Sequence, residues 1–287
     1  MRLRALSTLV LALAIPLLAL NADAGSILLG TAASFAVLGG STVTNTGATV
    51  LTGDVGVYPG TSITGFLPGI VTGTTDAGDA FAHQAQADLT TAITNFGLDG
   101  PGNSLSGSSY ATTNGQTLSP GVYSTGSTLE VAGALNLNFN NQSNASFIFL
   151  VGSSLTVDGS STIVLENVGP GDSLFWVMPT GSATVGTNAT FEGNILAGIS
   201  ITVDAGANIL CGRALASTGE VSLNDNVIST TCENAPVTTG GSTSTGNAFL
   251  EASNGLSGAS SSAPEPNTLW LLAAGLLVVG WFARGVS

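Results

Sequence analysis

Glu192-Gly-Asn-Ile-Leu-Ala-Gly-Ile-Ser-Ile-Thr-Val203 and, nineteen residues on, Cys211-Gly-Arg-Ala-Leu-Ala-Ser-Thr-Gly-Glu-Val-Ser-Leu223 carry small, apolar and Ser/Thr residues in the same places. A repeat this short cannot bury its own apolar face. It must stack on copies of itself, which is how a solenoid is built. Function in a solenoid lies on its long flat faces, so the outward residues of the repeat matter most.

Upstream, the same pattern forms a column: Thr128-Leu-Glu-Val131, Ser154-Leu-Thr-Val157, Ser182-Ala-Thr-Val185, Ser200-Ile-Thr-Val203 and Glu220-Val-Ser-Leu223. Alternate strand residues point to opposite sides. Leu155/Val157, Ala183/Val185, Ile201/Val203 and Val221/Leu223 are therefore expected inward. Ser154/Thr156, Ser182/Thr184, Ser200/Thr202 and Ser222 are expected outward. Glu130 and Glu220 interrupt this Ser/Thr column at its ends, which confines it to Ser154–Thr202. A second column precedes it: Phe147-Ile-Phe-Leu150, Phe175-Trp-Val-Met178, Asn194-Ile-Leu-Ala197 and Arg213-Ala-Leu-Ala216. It is apolar on both sides, as a strand covered by another element must be. The repeats are spaced 18 to 20 residues apart at the end of the chain and 26 to 28 earlier. The earlier ones must hold insertions, such as Gly159–Ser161 and Val168–Ser173. Two or three strands with their turns fit into nineteen residues, which predicts a triangular cross-section.

The period changes once. From Thr75 to Phe96 apolar residues fall at Phe81, Ala85, Leu89, Ala92, Ile93 and Phe96, one stripe at helical spacing. Thr75 or Asp76 can cap its start, Asp76 and Asp79 suit the positive end, and Gly97 is a natural stop. A lone helix of about 30 Å in a β chain is expected to lie along the stack and cover one face. Before it, Ser34-Phe-Ala-Val-Leu38, Ser41-Thr-Val-Thr44 and Gly53-Asp-Val-Gly-Val57 read as strands and turns. After it, 98–114 reads as loop.

The composition agrees with a wound β structure: 39 Gly, 6% aromatic and only 7% charged residues in 287. There is no Lys, and between Gly25 and Ala263 Arg213 alone faces 15 acidic residues. Such a chain is a poor partner for nucleic acid, because phosphate binding needs clustered Lys and Arg. Arg2 and Arg4, an apolar run from Leu6 to Leu20 and Ala22-Asp-Ala24 read as a signal peptide over 1–24. The solenoid domain is expected over 25–232, and 233–263, dominated by Thr, Ser, Gly and Asn, reads as a linker. Over 264–287, Pro264-Glu265-Pro266, an apolar run from Leu269 to Ala283 and Arg284 resemble the PEP-CTERM sorting signal of Gram-negative, exopolysaccharide-producing bacteria. That resemblance implies recognition by a membrane protease-transpeptidase. It also places the domain outside the cytoplasm, with the C-terminal apolar helix serving as a membrane segment until sorting removes it. Cys211 and Cys232 are 21 residues apart, about one repeat. That spacing lets them stack as neighbours, and an exported compartment permits a disulfide.

Catalytic and metal chemistry is not supported. His83 is the only His, and it falls within the helix. The acids are scattered, Asp76 and Asp79 read as helix-start charges, and Asp54 reads as a turn residue. No phosphate loop or nonapeptide Ca²⁺ repeat is present, so neither metal nor cofactor is expected. What remains is the outward Ser/Thr column. Stacked strands place its residues about 4.7–4.9 Å apart, close to a repeat of the ice lattice. A flat hydroxyl and methyl surface orders water without holding it as firmly as charge does.

Seven motifs then carry a family resemblance. They are Phe35-Ala-Val-Leu-Gly-Gly-Ser-Thr-Val-Thr-Asn-Thr-Gly47, Thr52-Gly-Asp-Val-Gly-Val-Tyr-Pro-Gly60, Ala77-Gly-Asp-Ala80 with Gln84-Ala-Gln-Ala-Asp-Leu-Thr90, Leu118-Ser-Pro-Gly-Val-Tyr123, Phe147-Ile-Phe149, Phe175-Trp176 and Gly212-Arg-Ala-Leu-Ala216. In this order they resemble the microbial ice-binding-protein-like family. The resemblance implies an all-β, discontinuous three-sided β-solenoid flanked by one long α-helix, with one flat face that binds ice. Some members carry Thr-Ala/Gly-x-Thr/Asn there, a motif matched by Thr46-Gly-Ala-Thr49, Thr72-Gly-Thr-Thr75 and Thr125-Gly-Ser-Thr128. The expected function is non-catalytic adsorption to ice, with Ser154, Thr156, Ser182, Thr184, Ser200, Thr202, Thr46 and Thr49 as candidate contacts. The alternative is a surface or biofilm-matrix adhesin binding exopolysaccharide through the same Ser/Thr/Asn faces.

Overall fold

A computed structural model describes residues 29–97, 100, 102–105, 116–232 and 237–238. The expected signal peptide, most of the linker and the sorting signal lie outside the described residues. The described chain is mostly β, paired in parallel throughout, with a single α-helix. The pairings form three ladders. The first runs Leu129–Val131, Leu155–Val157, Ala183–Val185, Ile201–Val203, Val221–Asn224, Thr42–Thr46, Ser62–Thr64. The second passes through Gly121–Thr125, Ser146–Val151, Ser173–Met178, the later halves of Thr190–Ala197 and Asn208–Ala216, then Phe35–Gly39, Asp54–Val57 and Thr75–Ala77. The third joins Ala134–Asn138, Thr162–Glu166, the first halves of the same two long strands, Val227–Ser229, Val50–Thr52 and Ile70–Val71.

Stack order is not chain order. The N-terminal strands dock beyond the C-terminal ones: Phe35–Gly39 pairs with Asn208–Ala216, Thr42–Thr46 with Val221–Asn224, and Val50–Thr52 with Val227–Ser229. The chain then has to return to the far end, and helix α1 (Ala80–Phe96) makes that crossing. Seventeen residues span about 25 Å, or about five strand spacings. Its buried residues Ala85, Leu89, Ala92, Ile93 and Phe96 lie on Leu38, Leu215, Leu196, Phe175, Val177 and Ile148, successive members of the second ladder. Each fully buried Leu, Val, Ile or Phe there contributes about 1.5–3 kcal/mol. Gln86 fixes the register, donating to the Gly39 carbonyl at 2.9 Å and the Ala216 carbonyl at 3.0 Å.

The helix starts later than the expected Thr75: its first residue is Ala80, just before Phe81, the first apolar residue of the stripe. Thr75–Ala77 is a strand on Asp54–Val57, Gly78 turns with φ +70°, and Asp79 is the cap, accepting from the Ala82 N–H at 2.9 Å. Backbone pairing of 75–77 outweighs helix propensity, and neither Thr75 nor Asp76 caps the helix. The insertions are also partly displaced. Asn140–Asn144 and Asn167–Asp172 bulge at one corner and stack on each other, with Asn141 N–H on Asn167 O at 3.0 Å and Asn144 N–H on Pro170 O at 2.9 Å. Gly159–Ser161 is no insertion: it is an ordinary corner, equivalent to 187–189 and 205–207. Between the second and first ladders the corners need glycine, because a Cβ on Gly181 would overlap the Ser153 carbonyl.

The interior is an aromatic and aliphatic column. Trp176 stacks on Phe149 at 4.0 Å and donates to the Glu192 carbonyl at 3.0 Å, and Phe139 meets Phe147 edge-on at 4.8 Å. Cys211 and Cys232 are joined, closing a 21-residue loop at the C-terminal strands. Such a closure stabilises by about 3 kcal/mol. Thr49, expected as a surface contact, is buried at 0% exposure, and its hydroxyl accepts from the Asn226 N–H at 3.1 Å. The turn it ends folds inward at the corner, so Thr49 is a brace.

Two substitutions test these buried polar groups. Thr49→Val leaves the Asn226 N–H without an acceptor and costs about 1–3 kcal/mol, read from urea unfolding. Glu192 is buried, with no hydrogen-bond partner for either carboxyl oxygen, and burial raises its pKa well above the usual value. The unfolded chain ionises near pH 4.5 and the folded chain does not, so stability falls as pH rises above that point. Glu192→Gln removes this loss: its Tm exceeds the wild type's at pH 7, and the gap closes on acidification to about pH 4.

Candidate functional site

The first ladder presents the Ser/Thr column to solvent. Its strands show the buried–half-buried–buried pattern of a sheet with one side on the core. Thr156, Thr184 and Thr202 face each other in direct register. Ser222 and Thr44 extend this row, then Thr64, and Glu130 begins it. A second row stands two residues earlier along each strand, about 6.6 Å away. It contains Thr128, Ser154, Ser182, Ser200, Glu220, Thr42 and Ser62, set by the N–H groups of Leu129, Leu155, Ala183 and Ile201, which donate to the carbonyls of Ser154, Ser182, Ser200 and Glu220, and by the Thr42–Ser62 pair. The two rows form a grid with strand spacing in one direction and the pleat in the other.

The rows differ chemically. Thr128 and Ser154 hydroxyls bond each other at 3.1 Å, and Ser182 and Ser200 at 3.0 Å. In the Thr row no described protein group bonds the hydroxyls of Thr156, Thr184 or Thr202. Those groups are left to water, on a backbone that the ladder holds still. The structure thus brings together six of the expected residues: Ser154, Thr156, Ser182, Thr184, Ser200 and Thr202. Thr46 is exposed at the end of its strand opposite Asn224, beside the grid. Thr49 is excluded by burial.

Sequence reasoning missed Thr42, Thr44, Ser62 and Thr64. The signal was present: Thr42-Val-Thr44 and Ser62-Ile-Thr64 repeat the pattern of Ser200-Ile-Thr202. Their distance along the chain concealed it. Consequently Glu220 does not end its row. Ser200 precedes it and Thr42 and Ser62 come after it.

Among the described residues the other two ladders differ from this one. The second lies under α1. In the third, Ala134, Thr162, Thr190, Asn208, Val227, Val50 and Ile70 share one row, a mixed set of side chains. Val237–Thr238 pairs there with Leu165–Glu166.

Several other polar groups help to build the fold. Arg213 is fully buried, donates to the Ala33 carbonyl and the Asn194 side chain at 2.8 Å each, and burial lowers its pKa to about 10. Asp172 accepts from the N–H groups of Ala145 at 2.8 Å and Gly169 at 2.7 Å, and burial pushes its carboxyl up. Burial also raises Asp76, which accepts from the Thr74 hydroxyl at 2.6 Å, while Asp54 accepts from the Thr74 N–H at 2.7 Å. His83 is exposed on α1, its ring 4.5 Å from that of Tyr58. Among the described residues no group of three His, Cys, Asp or Glu gathers to hold a metal ion.

Known proteins match this arrangement. The ice-binding-like family model matches residues 37–229, and the PEP-CTERM protein-sorting motif matches 262–284. An ice-binding protein of Nostoc sp. (strain HG1) is 46% identical over 217 residues, covering 75% of this chain and 79% of the relative. The crystal structure of an ice binding protein from an Antarctic biological consortium superposes with a TM-score of 0.64 at 38% identity, covering 71% of this chain and 90% of the other. That of an ice-binding protein from the ascomycete Antarctomyces psychrotrophicus gives 0.65 at 34% identity, covering 72% and 98%. The sorting motif makes this an exported protein of the cell envelope or the extracellular space, and its stack of parallel ladders belongs to the ice-binding-like family.

Proposed function

We propose that this protein adsorbs to ice through the two-row Ser/Thr face, and that it works without catalysis, metal or cofactor. The observation that carries the reading is the uncovered grid of Thr and Ser side chains at strand spacing, in a chain whose relatives bear the name ice-binding protein. The three ladders are the sides of a three-sided solenoid, made discontinuous by the N-terminal strands that stack last. One side is taken by α1 and one is uneven, which leaves the Ser/Thr side as the flat one.

Adsorption is a sum of many weak contacts. Each Thr methyl packs against water of the crystal surface, and each free hydroxyl takes part in its hydrogen-bond lattice. Ordering costs at the moment of docking are small, because the ladder already fixes every side chain's origin. A front pinned by bound molecules grows or recrystallises slowly. In the full chain, 1–24 acts as the signal peptide, 25–232 as the domain, 233–263 as the linker and 264–287 as the sorting signal, read through Pro264, Glu265 and Pro266 by a membrane protease-transpeptidase. The polysaccharide-binding adhesin gains no support, since none of the relatives named above is an adhesin.

The test is partition of the purified full-length protein into a slowly growing ice front. The wild type enters the ice. Thr202→Tyr, which raises a ring from the centre of the grid, lowers the ice-bound fraction about tenfold, with an unchanged far-UV spectrum. Thr190→Tyr, on the third ladder, leaves partition as it was. A wild type that stays in the liquid overturns the reading, and loss with Thr190→Tyr but not Thr202→Tyr moves the site to the third ladder.

A further inference from the structure

We infer that Glu220 limits the ice-docking plane: it is the residue that decides how much of the Ser/Thr grid acts as one surface. The inference rests on the face assigned above. Its motive is a placement that only the stacking reveals. In the row Thr128, Ser154, Ser182, Ser200, Glu220, Thr42, Ser62, one position out of seven is a carboxylate, and it is an interior one. Ser200 and Thr42 flank it across the strands, and Ser222 lies two residues on along its own strand. Glu130, the other acid of the grid, stands on the last described strand of the ladder, where it removes only an edge.

Three observations make Glu220 a boundary. Its side chain is exposed on the grid, while its carbonyl is held by the Ile201 N–H at 3.0 Å, so the backbone cannot carry it away from the plane. Among the described residues no Lys or Arg pairs with it. Arg213 is the only Lys or Arg in the described residues, and it is buried against Ala33 and Asn194. Finally, its neighbours are neutral hydroxyls. Docking requires surface water to rearrange into lattice positions, and an ionised carboxylate gives up its hydration far less readily than a hydroxyl does. Its side chain is also longer than those of its Ser and Thr neighbours. Glu220 therefore breaks its own row, and only Ser222 of the Thr row carries the plane between two blocks. The block Ser154, Thr156, Ser182, Thr184, Ser200 and Thr202 lies on one side, and Thr42, Thr44, Ser62 and Thr64 on the other.

Removing the carboxylate should join the two blocks, and a gain is more informative than a loss because misfolding does not produce one. Full-length wild type, Glu220→Thr, Glu220→Gln and Thr202→Tyr are compared for thermal hysteresis and ice partition at equal concentration. Glu220→Thr is expected to raise thermal hysteresis about twofold or more, because weak contacts add collectively over a rigid plane. Glu220→Gln, which removes the charge and keeps the length, gives a smaller rise. If Thr202→Tyr abolishes activity while both Glu220 variants stay at or below the wild type with unchanged melting, Glu220 is no limiter and the face stands. If Thr202→Tyr leaves activity unchanged, the face itself is wrong and the role of Glu220 falls with it.

Discussion

Parallel pairing between strands that are far apart in the chain underlies everything else in this molecule. Thr42–Thr46 lies on Val221–Asn224, and Asp225 secures the junction by donating its N–H to Thr46 O at 2.9 Å and accepting the Ala48 N–H on its carboxylate at 2.6 Å. This contact spans 177 residues of sequence. Without it the Ser/Thr ladder would end at Val221–Asn224, with an open strand edge of the kind that invites association. With it, two further strands extend the ladder and the grid grows past Glu220. The entropy of closing so long a loop rises only with the logarithm of its length, so a few buried strands and α1 suffice to hold it.

The helix is a consequence of that arrangement. Stacking the N-terminal strands at the C-terminal end leaves the chain far from the place where its remaining strands must begin. The shortest regular way back is a helix laid across the ladder. Leu89, Ile93 and Phe96 bury one side of the second ladder, and Gln86 satisfies two carbonyls beneath them. The same logic accounts for the polar interior. Arg213 ties the N-terminal turn to the stack, Asp172 closes a corner insertion, and Thr49 and Asn226 brace another corner. The face that remains open is almost wholly hydroxyl and methyl.

Most of the repeat was legible because strand alternation is local. Leu155, Val157, Ile201 and Val203 are buried, and Thr156, Thr184 and Thr202 stand half-exposed in register, as period two requires. The covered second column was legible too, since side chains apolar on both sides of a strand have to meet something. The helix start was not. Thr75, Asp76 and Asp79 are all residues that can open a helix, and only the backbone pairing of Thr75–Ala77 with Asp54–Val57 shows where strand ends and helix begins. The corner at Gly159–Ser161 is hidden from the sequence for a related reason: spacing counts residues but does not say at which corner the extra ones leave the stack.

By itself the sequence determined the repeat, its inward and outward sides, the presence of one covering helix and the scarcity of residue types that carry catalysis or ligate metal. Each of these depends on residue type and spacing within about twenty residues of chain, which local sterics and hydrophobic burial translate directly into structure. Only the tertiary structure decided the order of stacking, and with it the membership of Thr42, Thr44, Ser62 and Thr64 in the grid, the burial of Thr49 and the interior position of Glu220. Those depend on which strand edges meet. Backbone N–H and C=O groups are the same in nearly every residue, so pairing across 177 residues is chosen by the summed fit of a whole fold and leaves little trace in any one stretch of chain.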